Sequence, residues 1–420
     1  KKTLNLPSTS FSMRANLKEN EPKSISRWIK RDLYRKLTQK SENKPLFFLH
    51  DGPPYANGEI HAGHLLNKVL KDIVFRSKLM AGYQSQFIPG WDCHGLPIEY
   101  RVLSELKEKG KFEKIDRLEE GIRQNVIRKA CSEYALKQMK GQKEQMERLL
   151  TIADYKNPYL TMDSNYEAAT LHVFANIVKK GLVSRRRKPV HWSTVNQTAL
   201  AEAELEYKDR EDLSIYVNFH LCPKSYKELF TDVKEEISVM IWTTTPWTIP
   251  ANMAIAVGEA ISYSLIKIKG QNVIVATDRI KQIEQISKAS AIILKEIIGS
   301  DLVGLKYYHP FCNREGAIVL ADYVTTEDGT GLVHTAPGHG VEDWQTGVRE
   351  NIEIYCPVKE DGSYNETVPD WIKGKNIWDA NDLIVKKLND SKNLFYKHSF
   401  EHSYPHDGRS HTPVIFRATE

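Results

Sequence analysis

Apolar and polar positions change rhythm along the chain, and each change predicts a different element. After Pro22, the residues Ile25, Trp28, Ile29, Leu33 and Leu37 recur at three-to-four spacing, which predicts a helix in an otherwise polar stretch. Residues 1–44 thus read as an N-terminal extension lying on another domain. The run LFFL at 46–49 predicts a buried strand. The segment HDGPPYANGEIHAGH that follows holds two prolines and three glycines and predicts a loop. A helix is expected over about residues 64–80, with Leu65, Leu66, Val69, Leu70, Ile73 and Val74 as its apolar face and Gly82 just past its end. A second strand is expected at 85–89, then the loop GWDCHGLPIEY, then charged helical sequence over 101–150. Strand, loop, helix and strand in that order predict an α/β domain with a parallel sheet.

Near residue 190 the runs shorten. SIYVNF, VMIWTTT, AIAV, YSLIKI, NVIVA, AIVLADYVTT and GLVHTA alternate with Gly, Pro, Asn and Asp, which predicts a separate, mainly β domain with some helix. The closing PVIFRATE reads as another buried strand, able to return the chain to the first sheet. The expected division is 1–44 extension, 45–190 first α/β part, 191–400 inserted β-rich α/β domain, and 401–420 return.

Composition narrows the classes. At 420 residues, two or three domains are expected, and 41% hydrophobic with 27% charged residues excludes a disordered or fibrous chain. A net charge of +5 permits an acidic partner such as nucleic acid without requiring one. No apolar run is long enough for a transmembrane helix, and the first residues lack the apolar core of a signal peptide. The five cysteines, Cys93, Cys131, Cys222, Cys312 and Cys356, are scattered and never form C-x-x-C, which argues against a disulfide framework or zinc knuckle and for a reducing cytoplasm. A chain opening on Lys1 and stopping just after PVIF is expected to be a piece of something longer. The basic run SRRRK at 184–188 reads first as a solvated face and second as a tRNA or phosphate contact.

Two constellations carry candidate chemistry. His61 and His64 stand in H-A-G-H between the expected strand and helix. A helix N-terminus offers unpaired N–H groups and a positive partial charge, so a polyphosphate is stabilised there, and imidazoles three residues apart can reach it from one face. Gly63 would let a base or phosphate approach. The plainer alternative is two loop histidines that cap a helix. No G-x-x-x-x-G-K-[ST] is present, which excludes a P-loop. In the second constellation, Thr243, Thr244 and Thr245 end an apolar run before Pro246. Alternation in a strand would turn at least one hydroxyl into a pocket, though threonine is also an ordinary strand residue. GTGLVHTAPGHGVED then wraps His334 and His339 in glycines ahead of Asp343. Its spacing fits no metal motif, and a substrate loop is the better reading.

HDGPPYANGEIHAGHLLNKVLKDIV with PGWDCHGLPIE closely resembles the class I aminoacyl-tRNA synthetases, with His61 to His64 as their HIGH signature. PGWDCHGLPIE is similar to the isoleucyl branch. NPYLTM, TALAEAELEY, WTTTPWTIPAN and GTGLVHTAPGHG match in order, so the resemblance runs from about residue 4 to 420. It implies a Rossmann-like nucleotide-binding domain interrupted by a β-rich α/β editing insertion. It further implies ATP-dependent activation of isoleucine, transfer to tRNA(Ile), and hydrolytic editing of mischarged Val-tRNA(Ile). Residue by residue, it implies that His61 and His64 contact ATP phosphates and stabilise the adenylation transition state. Asp92 would hold the isoleucine α-amino group, Pro53 would line the side-chain pocket, and Tyr55, Asn57 and Gly63 would shape the loop. In the insertion, Asp343 would hold the α-amino group of the misattached residue, with His334 near the ester and Thr243 to Thr245 around the terminal adenosine and the attacking water. ATP with Mg2+ is the implied cosubstrate. The partners are tRNA(Ile), isoleucine and ATP, with no membrane and a monomeric state expected. One methylene separates isoleucine from valine, and a hydrophobic pocket gains only about 1–3 kcal/mol from it, a limit for which isoleucyl enzymes are the standing example.

Three departures stand out. The second signature, KMSKS, is absent from the 420 residues, so this stretch alone is expected to retain at most the editing part. Gly408 stands where family members often carry Trp, and STVN at 193–196 replaces a Cys pair, so no zinc is expected there. A catalytically dead tRNA-binding relative and a sister ligase for valine or leucine are the competing readings. A binding module needs neither the histidine pair nor Asp92.

Overall fold

The computed structural model describes residues 9–149 and 151–419. Expectations placed on residues 1–8, including the start of the extension, lie outside the described residues. The chain divides into two compact units, Lys1–Ser184 and Arg185–Glu420.

The first unit opens with α1 (Leu17–Lys30) and α2 (Leu33–Lys40). α1 starts five residues before Pro22, so the proline sits in its second turn and removes one ladder bond rather than opening the helix. β1 (Leu46–Leu49), α3 (Ala62–Met80) and β2 (Gln84–Phe87) form a strand–helix–strand unit. β1 and β2 pair parallel, from Leu46 opposite Gln84 to Leu49 opposite Phe87. β3 (Gly90–Trp91) pairs parallel with β4 (Tyr159–Leu160). α4 (Leu96–Glu108), α5 (Phe112–Asp116), the 29-residue α6 (Glu120–Arg148) and α7 (Ser164–Lys179) complete the unit. Its core gathers Phe75, Phe87, Trp91, Ile98, Val102, Ala135 and Met146.

α3 turns the opposite way from the expected one. Leu65, Leu66, Leu70, Ile73 and Val74 are exposed, whereas Lys68, Asp72 and Phe75 are buried. Two charges go inward because each has a partner there. Lys68 Nζ meets the fully buried Asp51 at 2.5 Å, and Asp72 Oδ1 accepts the Ile152 N–H at 2.7 Å.

The second unit is β-rich. β5 (Lys188–Ser193), β6 (Thr198–Ala199) and β17 (Ile415–Thr419) form a three-stranded sheet. The closing strand pairs with β5, inside this unit. A six-stranded sheet runs β12 (Ile292–Ile298), β10 (Ser262–Ile268), β11 (Gln271–Ala276), β8 (Ile237–Thr243), β7 (Leu205–His220) and β16 (Leu394–Asp407). A four-stranded sheet runs β13 (Lys306–Tyr308), β14 (Glu315–Leu320), β9 (Ala254–Val257) and β15 (Val333–Thr335). Ile215, Val217, Phe219, Val239, Ile241, Ile255, Val257 and Tyr307 share one core beneath these sheets. β16 crosses residue 400 without a break and lies antiparallel to β7 from Leu394 to Asp407.

The STVN segment is held by hydrogen bonds. Ser193 Oγ and Asn196 Nδ2 donate to Asp407 Oδ2 at 2.7 and 2.6 Å, and Ser410 Oγ joins at 3.0 Å. Next to Asp407, Gly408 donates its N–H to the Glu204 carbonyl at 2.9 Å, and a Cβ at 408 would lie 2.8 Å from that oxygen. Glycine at this position matches its neighbour, and a larger residue requires Glu204 to move.

Candidate adenylation and hydrolytic sites

α3 starts on a cap built from two imidazoles. His61 is the N-cap residue, and its Nδ1 accepts the Gly63 N–H at 3.0 Å. His64 Nδ1 accepts the His61 N–H at 3.2 Å, and the ring centroids are 4.0 Å apart. The plainer reading of the motif, a helix cap, describes both rings, and capping through Nδ1 leaves each Nε2 open to the chemical one. An Nδ1 that accepts a backbone N–H carries no proton, so each neutral ring holds its proton on Nε2. Two Nε2–H donors thus stand at a helix N-terminus whose own field favours an anion. Burial first, then the positive potential of His61 and Lys68, holds His64 below the usual imidazole range, so it is neutral at pH 7. A Cβ on residue 63 would lie 2.8 Å from His61 Cε1, so Gly63 lets the ring fold back over the turn. That is a tighter reason for glycine than the ligand approach the sequence suggested.

The loop before α3 is tied to Asp92. Asp92 N–H donates to the Pro54 carbonyl and Ala56 N–H to the Asp92 carbonyl, both at 2.8 Å, which sets Tyr55 parallel to Asp92. The half-buried Asp92 takes the His94 N–H and the Thr161 hydroxyl on one oxygen, Oδ1, each at 3.3 Å. Pro53 is half-buried and Tyr55 is exposed. Asn57 is spent on structure: its Oδ1 accepts the Tyr134 hydroxyl at 2.8 Å and its Nδ2 donates to the Pro97 carbonyl at 3.3 Å.

Sequence reasoning missed the supports. Asp51 is held by Lys68 and Lys71 of α3 and accepts the Gly90 N–H at 3.1 Å, which joins loop, helix and the strand leading to Asp92. Burial pushes the Lys68 ammonium below its usual range, and the Asp51 carboxylate opposes that shift. From α6, Gln145 Oε1 accepts the Ile60 N–H at 2.9 Å, and Gln142 reaches the same loop. A lone buried amide, Gln142, on the stripe of Cys131, Ala135 and Met146 was the signal available in the sequence.

In the second unit only Thr243 lies in β8; Thr244 and Thr245 follow its end. Thr243 and Thr245 hydroxyls are 3.1 Å apart, and Thr245 is 3.3 Å from Thr248. Thr248 in turn meets His334 Nε2 at 2.9 Å. The other ring nitrogen, Nδ1, accepts from Asn252 Nδ2 at 2.8 Å, and Tyr307 fixes Asn252 at 2.6 Å. Asn252 therefore places the ring proton on Nε2, and burial first, then His339 and Arg314, pushes His334 down to about 3. It is a neutral donor that orients threonine hydroxyls. Thr248, Asn252 and Tyr307 were not legible as partners in the sequence. Asp343 Oδ2 accepts the Ala336 N–H at 2.9 Å, two residues beyond His334, and Oδ1 accepts the Tyr323 hydroxyl at 3.3 Å. Burial raises this carboxyl to about 6, against the pull of those two donors. The chain of hydrogen bonds joins Thr243, Thr245 and His334, with Asp343 anchored on the same β15 exit; Thr244 lies outside it. His339 instead donates Nδ1–H to the Phe416 carbonyl at 2.9 Å and packs edge-on against Trp247. Among the described residues no group of three or more His, Cys, Asp or Glu is placed to hold a metal ion, and no helix is long and apolar enough to cross a membrane.

The chain thus sets an α/β unit with paired histidines at a helix N-terminus ahead of a β-rich unit with a hydrogen-bonded threonine–histidine chain and a carboxylate on the same strand exit. The profile of the tRNA synthetases class I (I, L, M and V) matches residues 23–417, and the chain belongs to that family. Within it, the chain is similar to isoleucine–tRNA ligases. It is 47% identical over 419 residues to the one from Carboxydothermus hydrogenoformans, covering 100% of this chain and 44% of that protein. It is 48% identical over 424 residues to the one from Kosmotoga olearia, with the same two shares. The chain thus spans under half the length of the curated relatives it matches. Among solved structures, a LeuRS in ternary complex from Agrobacterium radiobacter K84 covers 96% of this chain at 15% identity and a TM-score of 0.38, too loose a likeness to add to the assignment.

Proposed function

We propose that the chain is the amino-terminal part of an isoleucine–tRNA ligase that activates isoleucine with ATP and Mg2+, charges tRNA(Ile), and hydrolyses Val-tRNA(Ile). On this reading the first unit is the opening half of a Rossmann-like nucleotide domain and the second is the editing insertion. The KMSKS half of the ATP site then belongs to polypeptide beyond these residues. The relatives' greater length supports this, as does the exposed apolar face of α3.

The observation that carries the proposal is the double imidazole cap. Two Nε2–H donors at this helix N-terminus would face the negative charge that builds on the α-phosphate as isoleucine attacks, and so gain strength in the transition state. Asp92 neutralises the amino acid's ammonium. In the hydrolytic pocket, Asp343 holds the ester's ammonium while Thr243, Thr245 and Thr248, oriented by His334, position water without a covalent intermediate.

The test is ATP–pyrophosphate exchange by the full-length protein with isoleucine, valine and leucine in turn. Isoleucine should support the highest kcat/KM, valine about 10–200-fold less. Exchange driven best by valine or leucine overturns the assignment.

A further inference from the structure

Gln142 lies on α6, 87 residues from Tyr55 in sequence, and is 1% exposed. Its single carboxamide serves four groups. Nε2 donates toward the Tyr55, Asn57 and Gly58 carbonyls at 3.1, 3.4 and 3.0 Å. Oε1 accepts the Trp91 indole N–H at 2.9 Å. Three carbonyls converging on one buried point would repel each other and stand unsatisfied without a donor, and the buried indole needs an acceptor. A carboxamide alone among side chains of this length answers both needs at once. The two pieces it joins are the loop 53–58 and Trp91, the residue before Asp92. Those are the parts of the first unit assigned above to the amino acid and not to ATP.

We propose that Gln142 is a positioning residue for amino-acid recognition, setting the distance between the loop 53–58 and Asp92 by holding both on one amide. This rests on the ligase reading. It touches no substrate itself. Gln142→Glu turns the donor into a second acceptor against three carbonyls. Gln142→Met keeps the length and removes both functions. In either variant the loop and the strand before Asp92 lose this shared amide and keep only the backbone bonds at Pro54 and Ala56, while His61, on the Gly63 N–H, and His64, on the His61 N–H, keep their caps.

The experiment is pyrophosphate exchange by the full-length protein, wild type and both variants, with isoleucine and ATP varied separately. Deacylation of Val-tRNA(Ile) and a melting curve are run beside it. The expected result is a rise of about tenfold or more in KM for isoleucine, the equivalent of one lost hydrogen-bond anchor, with KM for ATP and deacylation each held within about twofold. An isoleucine KM unchanged in both variants overturns the proposal. So does a loss falling equally on ATP and isoleucine, or one that tracks a lowered melting temperature and lost deacylation, which assigns Gln142 to folding alone. No isoleucine-dependent exchange in the wild type sinks the ligase reading and this proposal together. Wild-type exchange with unmoved variants sinks this proposal only.

Discussion

On the proposed function, His64 and Asp343 would meet substrate charge from opposite electrostatic positions. His64 is neutral, and as a donor its worth would grow as the proposed substrate's phosphate gains charge. His64→Ala in the full-length protein should lower kcat for exchange by about 10²–10³-fold, with a much smaller change in KM for ATP. A change confined to KM contradicts that role. Asp343 must be ionised to hold an ammonium, yet burial raises it to about 6. Deacylation should therefore fall as the pH drops through about 6, and Asp343→Ala should cut it by roughly 30-fold or more while isoleucylation is spared, the cost of an unpaired ammonium. Wild-type deacylation by Asp343→Ala removes the assignment. The same shift has a stability sign. A carboxyl raised in the folded state binds more protons there than when unfolded, so stability declines as pH rises from its ordinary value of 3.8 to about 6. Asp343→Asn should melt higher than wild type at pH 7.5 and no higher at pH 3.5.

At the scale of elements, two buried carboxylates do different jobs. Asp51 fastens α3 through Lys68 and Lys71. Removing it in Asp51→Ala leaves Lys68 buried and unpaired, a loss of about 3–5 kcal/mol in the first unit, readable by urea unfolding. Asp407 closes the root of β16 on Ser193, Asn196 and Ser410. Burial pushes its carboxyl up, but the Ser193, Arg409, Ser410 and Asn196 donors outweigh that and hold it below the ordinary 3.8. Its stabilisation is present above pH 3.8 and is lost as the pH falls through the lower folded value. Asp407→Ala should lower the melting temperature at pH 7, with the gap to wild type closing towards pH 2. Neither carboxylate could be picked out from the chain alone. His61, His64, Asp92 and Asp343 could be singled out as candidates because glycines and prolines crowd the stretches that hold them, although His64 falls in the first turn of α3 and Asp343 in the first turn of the helix Val341–Arg349. The orientation of α3 was not. Its apolar stripe is real but faces out, and the inward Lys68 makes sense only with Asp51, 17 residues earlier, in place. The Gln142 contacts and the Asn252 to His334 bond span 51 or more residues, beyond the reach of local pattern.

For the whole molecule, the division between the two units falls in residues 181–187, which follow α7, are exposed, belong to no helix or strand and include Arg185, Arg186 and Arg187. Brief trypsin treatment should nick there first and leave two resistant fragments, and cutting elsewhere at the same rate contradicts the division. The second unit's longest pairing carries a further consequence. β7 and β16 register Val217 against Leu394 and Leu205 against Asp407, partners separated by roughly 180–200 residues, which at ordinary rates of synthesis means roughly 10–40 s between the birth of one strand and the other. Over that interval residues 205–214, whose pairing among the described residues is with β16 alone, wait on the ribosome as an unmatched edge. Their sequence, LEYKDREDLS, suits the wait: charges of both signs crowd the segment where a more apolar strand would recruit a neighbouring nascent chain.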